Sequence, residues 1–206
     1  MYARSTTILA DAQRLDDGIA HVRDEIMPAV QSMPGCIGLS MLCDRDTGRC
    51  IVTTSWDSED AMVATRERVR DMRQRSVELM GASDASVDEW EMAVMHRMHN
   101  ATDAACARVT WTRGDPARAE EMRDAFRMSL VPRLDDVPGF CSISLMVDRS
   151  GRSCVTAVYD DRGAMEASRP QIVSMREEFA RQLGLEVTEV AEFDLAIHHL
   201  RVPEMV

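Results

Sequence analysis

The chain states the same pattern twice. Pro34-Gly35 returns as Pro138-Gly139 and Asp44-Arg45 as Asp148-Arg149, an offset of 104 positions. After a one-residue deletion in the following turn the offset becomes 103: Gly48-Arg49 returns as Gly151-Arg152, Trp56-Asp57 as Tyr159-Asp160, and Ala61-Met62 as Ala164-Met165. Glu89-Trp90-Glu91-Met92-Ala93-Val94 likewise returns as Glu192-Phe193-Asp194-Leu195-Ala196-Ile197. Two copies of about a hundred residues each are too few for a solenoid, so the expectation is a pseudo-symmetric pair, with repeats over 1–99 and 105–206 joined by residues 100–104.

Each copy shows the same alternation of strand and helix signals. Residues 2–9 alternate as a strand; Asp11 then caps a helix whose apolar residues Leu15, Ile19, Val22, Ile26 and Val30 recur at spacings of three and four. Pro34-Gly35 ends it. The β-rich runs 36–43 and 50–56 flank an Asp/Gly turn, the mark of a hairpin. Ser58, with Glu59 and Asp60 in the first turn, caps a second helix that Gly81 stops, and 87–98 reads as a last strand. In the second copy the strands are 105–113, the hairpin 140–159 and 186–200, with helices after Asp115-Pro116 and over 163–183.

The order is βαββαβ twice, the ferredoxin-like unit, and the fold class is α+β. Such a sheet carries both helices on one face and leaves the other bare. Two bare faces can cover each other, so the expected architecture is an intramolecular, pseudo-dimeric α/β barrel of eight strands with the helices outside. It should unfold as one cooperative body, and a proteolytic cut between residues 100 and 104 should not release stable halves.

Charge limits the partners. All 24 basic residues are Arg, a usage expected of a GC-rich genome, and 35 acidic residues bring the net charge to −11. A field of that sign disfavours nucleic acid and anionic membranes. No apolar run approaches the roughly 20 residues of a membrane helix, and the chain opens directly on a strand-like pattern, which predicts a cytoplasmic protein. The cysteines, at 36, 43, 50, 106, 141 and 154, form no CxxC pair, and five lie in or beside aliphatic runs as small hydrophobes. Metal ligation by them is not expected. Cys43 and Cys50 flank the first hairpin turn and can face each other, reduced in a cytosol.

Met33-Pro34-Gly35-Cys36, Trp56-Asp57-Ser58-Glu59-Asp60-Ala61-Met62 and their echoes Val137-Pro138-Gly139-Phe140 and Tyr159-Asp160-Asp161-Arg162-Gly163-Ala164-Met165 resemble the antibiotic biosynthesis monooxygenase domains of the dimeric α/β barrel superfamily. The likeness covers both copies. It implies a fused dimer, working as a monomer or assembling as a homodimer. The resemblance also implies a small-molecule ligand and either cofactor-free oxygenation of quinone-like or polyketide aromatics or oxygen-dependent haem breakdown. Haem-degrading members place Trp and then His on the second helix, and 64–80 and 167–183 contain neither. Haem degradation is therefore not expected, and neither a cofactor nor a resident metal is assigned.

Candidate site residues lie on the strands. In the ferredoxin-like order the first strand neighbours the fourth, so Arg4 can reach Glu89 or Glu91, and Arg108 can reach Glu192 or Asp194. These pairs read as register-fixing ion pairs or as guanidinium forks for a planar anion. Trp56 and Tyr159 close the third strands beside the small residues Gly38, Ser40, Ser142 and Ser144. That arrangement reads as core packing or as a pair of pockets for a flat ligand, with Trp56, Tyr159, Ser40, Ser144, Arg4 and Arg108 as binding residues. His96 and His199 are equivalent, and a metal site between them needs the two to meet; His99 and His198 point to the other face from the His beside them. The Arg-rich run 66–75 reads as a solvated helix face. No nucleophile elbow, phosphate loop or zinc spacing is present. Three functions remain: an oxygenase of aromatic or polyketide-like molecules, a non-catalytic small-molecule binder with a degenerate active site, and a structural module whose cavities its 16 methionines fill.

Overall fold

A computed structural model describes residues 1–200 and 202–205, Leu200 through its backbone only; the predicted end of the second repeat at 206 lies outside the described residues. The strands are β1 Tyr2–Leu9, β2 Cys36–Cys43, β3 Arg49–Trp56, β4 Ala85–Arg97, β5 Cys106–Arg113, β6 Phe140–Val147, β7 Arg152–Tyr159 and β8 Glu186–Leu200. The order βαββαβ holds in both copies. Hydrogen bonding runs β1-β3-β2-β8-β5-β7-β6-β4 and closes as a barrel, the α+β architecture the repeat predicts.

Two compact units emerge, and their borders fall inside strands rather than at the linker: Met1–Glu91 with Asp194–Val202, and Met92–Phe193 with Pro203–Val206. In the first unit, β1 lies between β3 and β4, pairing Tyr2 with Trp56 and Arg4 with Glu89. The far edge of β2 pairs antiparallel with β8, from Gly38 opposite Leu200 to Cys43 opposite Asp194. A fifth strand, donated by the end of the other repeat, thus satisfies an edge that would otherwise template aggregation. In the second unit β5 likewise lies against β7, pairing Cys106 with Tyr159 and Arg113 with Arg152.

Three helices begin at the caps the sequence marks, Asp11, Ser58 and Asp115, and the fourth begins at Asp161, a cap not marked in the sequence. Asp11 accepts from Gln13 N, Ser58 from Ala61 N, Asp115 from Ala117 N and Asp161 from Ala164 N. Two features depart from the simple pattern. The first helix of each copy runs as α1 Leu15–His21 and α2 Met27–Gln31, or α5 Ala119–Ala125 and α6 Val131–Leu134, around a π-helical turn at Val22–Ile26 or Phe126–Leu130. The second helix is broken too, into α3 Glu59–Ala64 and α4 Arg66–Leu79, and again into α7 Arg162–Ala167 and α8 Arg169–Leu183. At each break a hydroxyl turns back on its own helix: Thr65 Oγ1 donates to the Met62 carbonyl and Ser168 Oγ to that of Met165, both at 2.9 Å.

Between sheet and helices the first unit buries Ile8, Leu15, Val22, Leu39, Met41, Val77 and Met80, with a second cluster around Trp56, Val30, Met33 and Met62. The second unit packs Phe126, Leu134, Phe140, Ile143, Leu145, Tyr159 and Met175. Cys43 and Cys50 stand directly opposite each other on β2 and β3, buried as free thiols.

Gly48 shows why one hairpin position tolerates no side chain. Its φ is +76°, and an added Cβ would run into the carbonyl oxygen of Ala10, whose own N–H donates to Gly48 O at 2.9 Å. Gly151, at φ +86°, repeats this against Gly114. Gly48→Ala is expected to destabilise the protein by about 1–3 kcal/mol or more, from the left-handed backbone and the displaced β1 terminus, read as a lower urea midpoint with unchanged m.

Candidate functional site

The site grows from one charged side chain on the first strand of each repeat. Arg4 is 2% exposed and Arg108 3%, values an unpaired guanidinium could not sustain. Arg4 donates through Nε and Nη2 to Glu89 Oε1, at 3.0 and 2.8 Å, and through Nη2 to the Met62 carbonyl at 2.8 Å. Arg66 holds the other oxygen of Glu89 at 2.7 Å. The second copy repeats the arrangement: Arg108 Nε donates to Glu192 at 2.8 Å, Arg108 Nη2 to the Met165 carbonyl at 3.1 Å, and Arg169 Nη2 to Glu192 Oε2 at 3.0 Å. The carbonyl at the helix break is thus an acceptor for the buried Arg. Desolvation opposes ionisation of Glu89, but the hydrogen bonds and charges of Arg66 and Arg4 outweigh it and hold the carboxyl below its usual value.

Nη1 of both Arg4 and Arg108 has no hydrogen-bond partner among the described residues. Each of these arginines lines a cavity between its sheet and its helices. In the first unit the cavity is about 40 Å³, bounded by Thr6, Ile8, Val52 and Thr54 below and by Val22, Ile26, Met72 and Arg73 above. In the second it is about 80 Å³ and lined by Thr110, Thr112, Val155, Ala157, Phe126, Leu130, Arg176 and Phe179 among others. Phe126 and Phe179 meet edge to face at 5.9 Å. The π-helical turns supply Val22 and Ile26 to one wall and Phe126 and Leu130 to the other.

Arg73 and Arg176 occupy matching places on α4 and α8, so each cavity holds two guanidiniums. Burial, then the charges of Arg4 and Arg70, push the pKa of Arg73 down. A site that penalises its own cations is one an anion would relieve. Neither cavity lining includes a carboxylate or an imidazole. A broader depression of about 410 Å³ beside Pro34, Gly35, Asp57 and Ser58 is open to solvent and has no buried charge in its wall.

The structure brings only part of the predicted set together. Trp56 and Tyr159 are fully buried but line neither cavity. Trp56 Nε1 donates to Thr54 Oγ1 at 3.1 Å, and the Tyr159 ring lies 5.8 Å from the Arg108 guanidinium carbon. Burial raises the Tyr159 pKa, against the lowering effects of Ser168 and Arg108.

Ser40 and Ser144 lie on the opposite face of the sheet from Trp56 and Tyr159, as the hairpin registers set at Cys43–Cys50 and Val147–Ser153 require. Cys36 pairs with Trp56, but after a register shift Gly38 pairs with Ser55, leaving Leu39 opposite Thr54 and Ser40 opposite Thr53. The same shift between Phe140 and Ser142 puts Ile143 opposite Ala157 and Ser144 opposite Thr156. Counted instead from the Cys36 or Phe140 end of the strand, the one-residue slip exchanges the faces. Arg66 and Arg73 escape a reading of the Arg-rich run as simply solvated, and their counterparts Arg169 and Arg176 lie outside that run; the recurrence of the pair at an offset of 103 is the signal that could have marked them.

The histidines do other work. His96 Nδ1 lies 2.6 Å from Glu204 Oε1 and Nε2 lies 2.9 Å from Asp135 Oδ1, with the ring stacked on Phe140. His199 stands opposite Leu39 and His198 opposite Ser40. The grouping of potential metal ligands found among the described residues is instead His99, Cys141 and Asp160.

The antibiotic biosynthesis monooxygenase family pattern matches residues 1–69. Over 207 aligned residues, the full chain is 46% identical to uncharacterized protein Rv2557 of Mycobacterium tuberculosis, covering 92% of that protein. Its fold is similar to that of a candidate monooxygenase from Lactobacillus acidophilus NCFM, with a TM-score of 0.71 at 13% identity over 97% of this chain and 96% of that one. It is similar also to an anthrone oxidase-like protein, with a TM-score of 0.67 at 14% identity over 100% and 94% of the two chains. No helix among the described residues is long and apolar enough to cross a membrane.

Burial disfavours the imidazolium of His96, but the hydrogen bonds it donates to Asp135 and Glu204, with their charges, more than offset this and raise its pKa above the ordinary imidazole value. A raised histidine stabilises the fold fully below its unfolded pKa and ceases to do so as pH rises through the folded value. Wild type should therefore lose urea resistance relative to His96→Gln as pH climbs upward from about 6.5, and parallel pH-dependence for the two proteins would show that His96 contributes nothing.

Proposed function

Because the chain belongs to the antibiotic biosynthesis monooxygenase-like proteins, as a tandem duplication in the family of Rv2557, we propose that it binds a small, largely apolar molecule through an anionic or enolisable oxygen. The second unit's cavity is the site. One observation carries this reading: Arg108 is buried in an apolar cavity with Nε and Nη2 engaged and Nη1 unpartnered. An oxygen anion at Nη1 would complete its hydrogen bonding, and Arg176 adds a second positive charge in the same wall. The apolar lining, with Phe126 and Phe179, suits the hydrocarbon part of such a molecule.

The finer reading is cofactor-independent oxygenation of an aromatic or polyketide-like compound. A guanidinium beside the oxygen of an enolisable substrate stabilises the negative charge that appears as the adjacent carbon loses its proton, and that carbanion is the species able to react with dioxygen directly. Since the cavity wall carries no carboxylate or imidazole, the proton would pass to water. The same lack supports a second reading, in which the site binds without turning its ligand over. At about 80 Å³ the cavity is also well below the roughly 300 Å³ of ordinary ligand sites, so a tricyclic ligand requires the wall at Phe126–Leu130 to yield. A cytoplasmic setting, with its thiols reduced, suits either reading.

Anthrone is the probe of choice. Calorimetry should detect its binding, and Arg108→Met should weaken it about tenfold or more, the loss of one charged hydrogen bond, whereas Ser144→Ala should leave it unchanged. Glu192 keeps Arg169 as a partner in the Arg108 variant, and a denaturation curve verifies its folding. Oxygen uptake by the complex without added metal or flavin would select the oxygenase reading, and binding without uptake would select the binder. If neither anthrone nor smaller phenolates and aromatic carboxylates bind, the cavities are packing defects of a structural module.

A further inference from the structure

We infer that His99, Cys141 and Asp160 form a binding site for one divalent transition-metal ion of the zinc class, with a fourth coordination position left open to solvent. The three residues come from two positions past the end of β4, from β6 and from the residue after β7, and their ligand atoms all lie within 4.8 Å of one another. Cys141 Sγ is 3.3 Å from Asp160 Oδ1, and His99 Nδ1 is 3.8 Å from the same oxygen. Ligands held tetrahedrally at zinc bond lengths of about 2.0–2.3 Å stand roughly 3.3–3.8 Å apart, so little movement is needed to close the site.

The carriers of these ligands are already fastened. Met98 N and His99 N both donate to the Cys141 carbonyl, at 2.8 and 3.4 Å, which lays the start of the linker over β6. Asp160 N donates to Gly139 O at 2.8 Å, and Thr102 Oγ1 donates to Asp160 O at 2.7 Å. The backbone positions therefore do not depend on the ion. A pre-ordered site spends less binding energy on ordering itself.

The donor set also indicates the type of ion. One thiolate, one imidazole and one carboxylate form a borderline set that suits Zn²⁺ and its spectroscopic surrogate Co²⁺ better than Ca²⁺ or Mg²⁺. Without an ion, Cys141 is a protonated thiol donating to Asp160, its pKa pushed up to about 12 by burial first and by Asp160 second. The ion takes the place of that thiol proton, which leaves to solvent, and Nδ1 of His99 exchanges its 3.1 Å contact with Asn100 O for the metal, its proton residing on Nε2. His99 is exposed and Cys141 buried, so the ion would sit at the surface with one face toward water. The first unit has Ile37, Asp57 and Val202 at the matching positions and keeps only the aspartate, which restricts the site to the second unit.

The test uses the full chain, stripped with a chelator and kept reduced, titrated anaerobically with Co²⁺ and then displaced with Zn²⁺. One equivalent should bind, with near-ultraviolet thiolate-to-cobalt absorption and release of about one proton per ion near neutral pH. Cys141→Ser should abolish that absorption and His99→Ala should weaken binding at least tenfold, while Cys43→Ser, removing a buried thiol elsewhere, should change neither. Circular dichroism of each variant verifies folding, and the exposed His99→Ala change keeps the test decisive if Cys141→Ser does not fold. Absence of the thiolate band in wild type, or a band that survives Cys141→Ser, would overturn the assignment.

Discussion

A buried guanidinium cannot be left partly solvated by nothing, and satisfying Arg4 and Arg108 organises much of what surrounds them. Each demands a carboxylate on the neighbouring strand, supplied by Glu89 or Glu192, and a carbonyl from the helix above, supplied by Met62 or Met165. The helix is broken just beyond that carbonyl, at Thr65 or Ser168, and the residue that restarts it, Arg66 or Arg169, closes on the same carboxylate. A buried ion pair is weak evidence of net stability. What it does is tie the first strand, the fourth strand and the helix break to one another and place a positive charge in the cavity wall.

Within that shared frame the two copies have diverged in content. Val22 has Phe126 as its counterpart, Ser76 has Phe179 and Thr54 has Ala157, and the second cavity is twice the volume of the first. Among the described residues, the second unit gathers His99, Cys141 and Asp160, a grouping without a counterpart in the first. Duplication permits this: two equivalent sites relieve each other of any need to stay identical, provided that the buried Arg network keeps each unit folded.

Much of this was legible without coordinates. The caps at Asp11, Ser58 and Asp115, the hairpins, the strand order and the meeting of Arg4 with a carboxylate of the fourth strand follow from local chemistry and from the ferredoxin-like order, while the choice of Glu89 over Glu91 was made by the register. The misplacement of Ser40 and Ser144 has a single source. Alternation along β2 from Cys36, which stands opposite Trp56, puts Ser40 on the Trp56 face, but the hairpin register set at Cys43–Cys50 puts it opposite Thr53 on the other face, and the bulge at Cys36–Gly38 reconciles the two ends of the strand. A bulge leaves no periodic trace in the sequence. The π-helical turns are similarly silent, because a helix with one widened turn keeps nearly the same apolar spacing.

By itself, the sequence determined the duplication, the order of elements, the boundaries that caps and glycines impose, and the negative field that disfavours polyanions, because all of these depend on residues close together in the chain or on a count. Only the tertiary structure decided which faces the strands present, where β8 completes the edge of β2, how much space remains beside Arg108, and that residues 99, 141 and 160 come within a coordination sphere of one another. Those depend on register and on closure across long stretches of chain, where a shift of one residue changes which side chains meet.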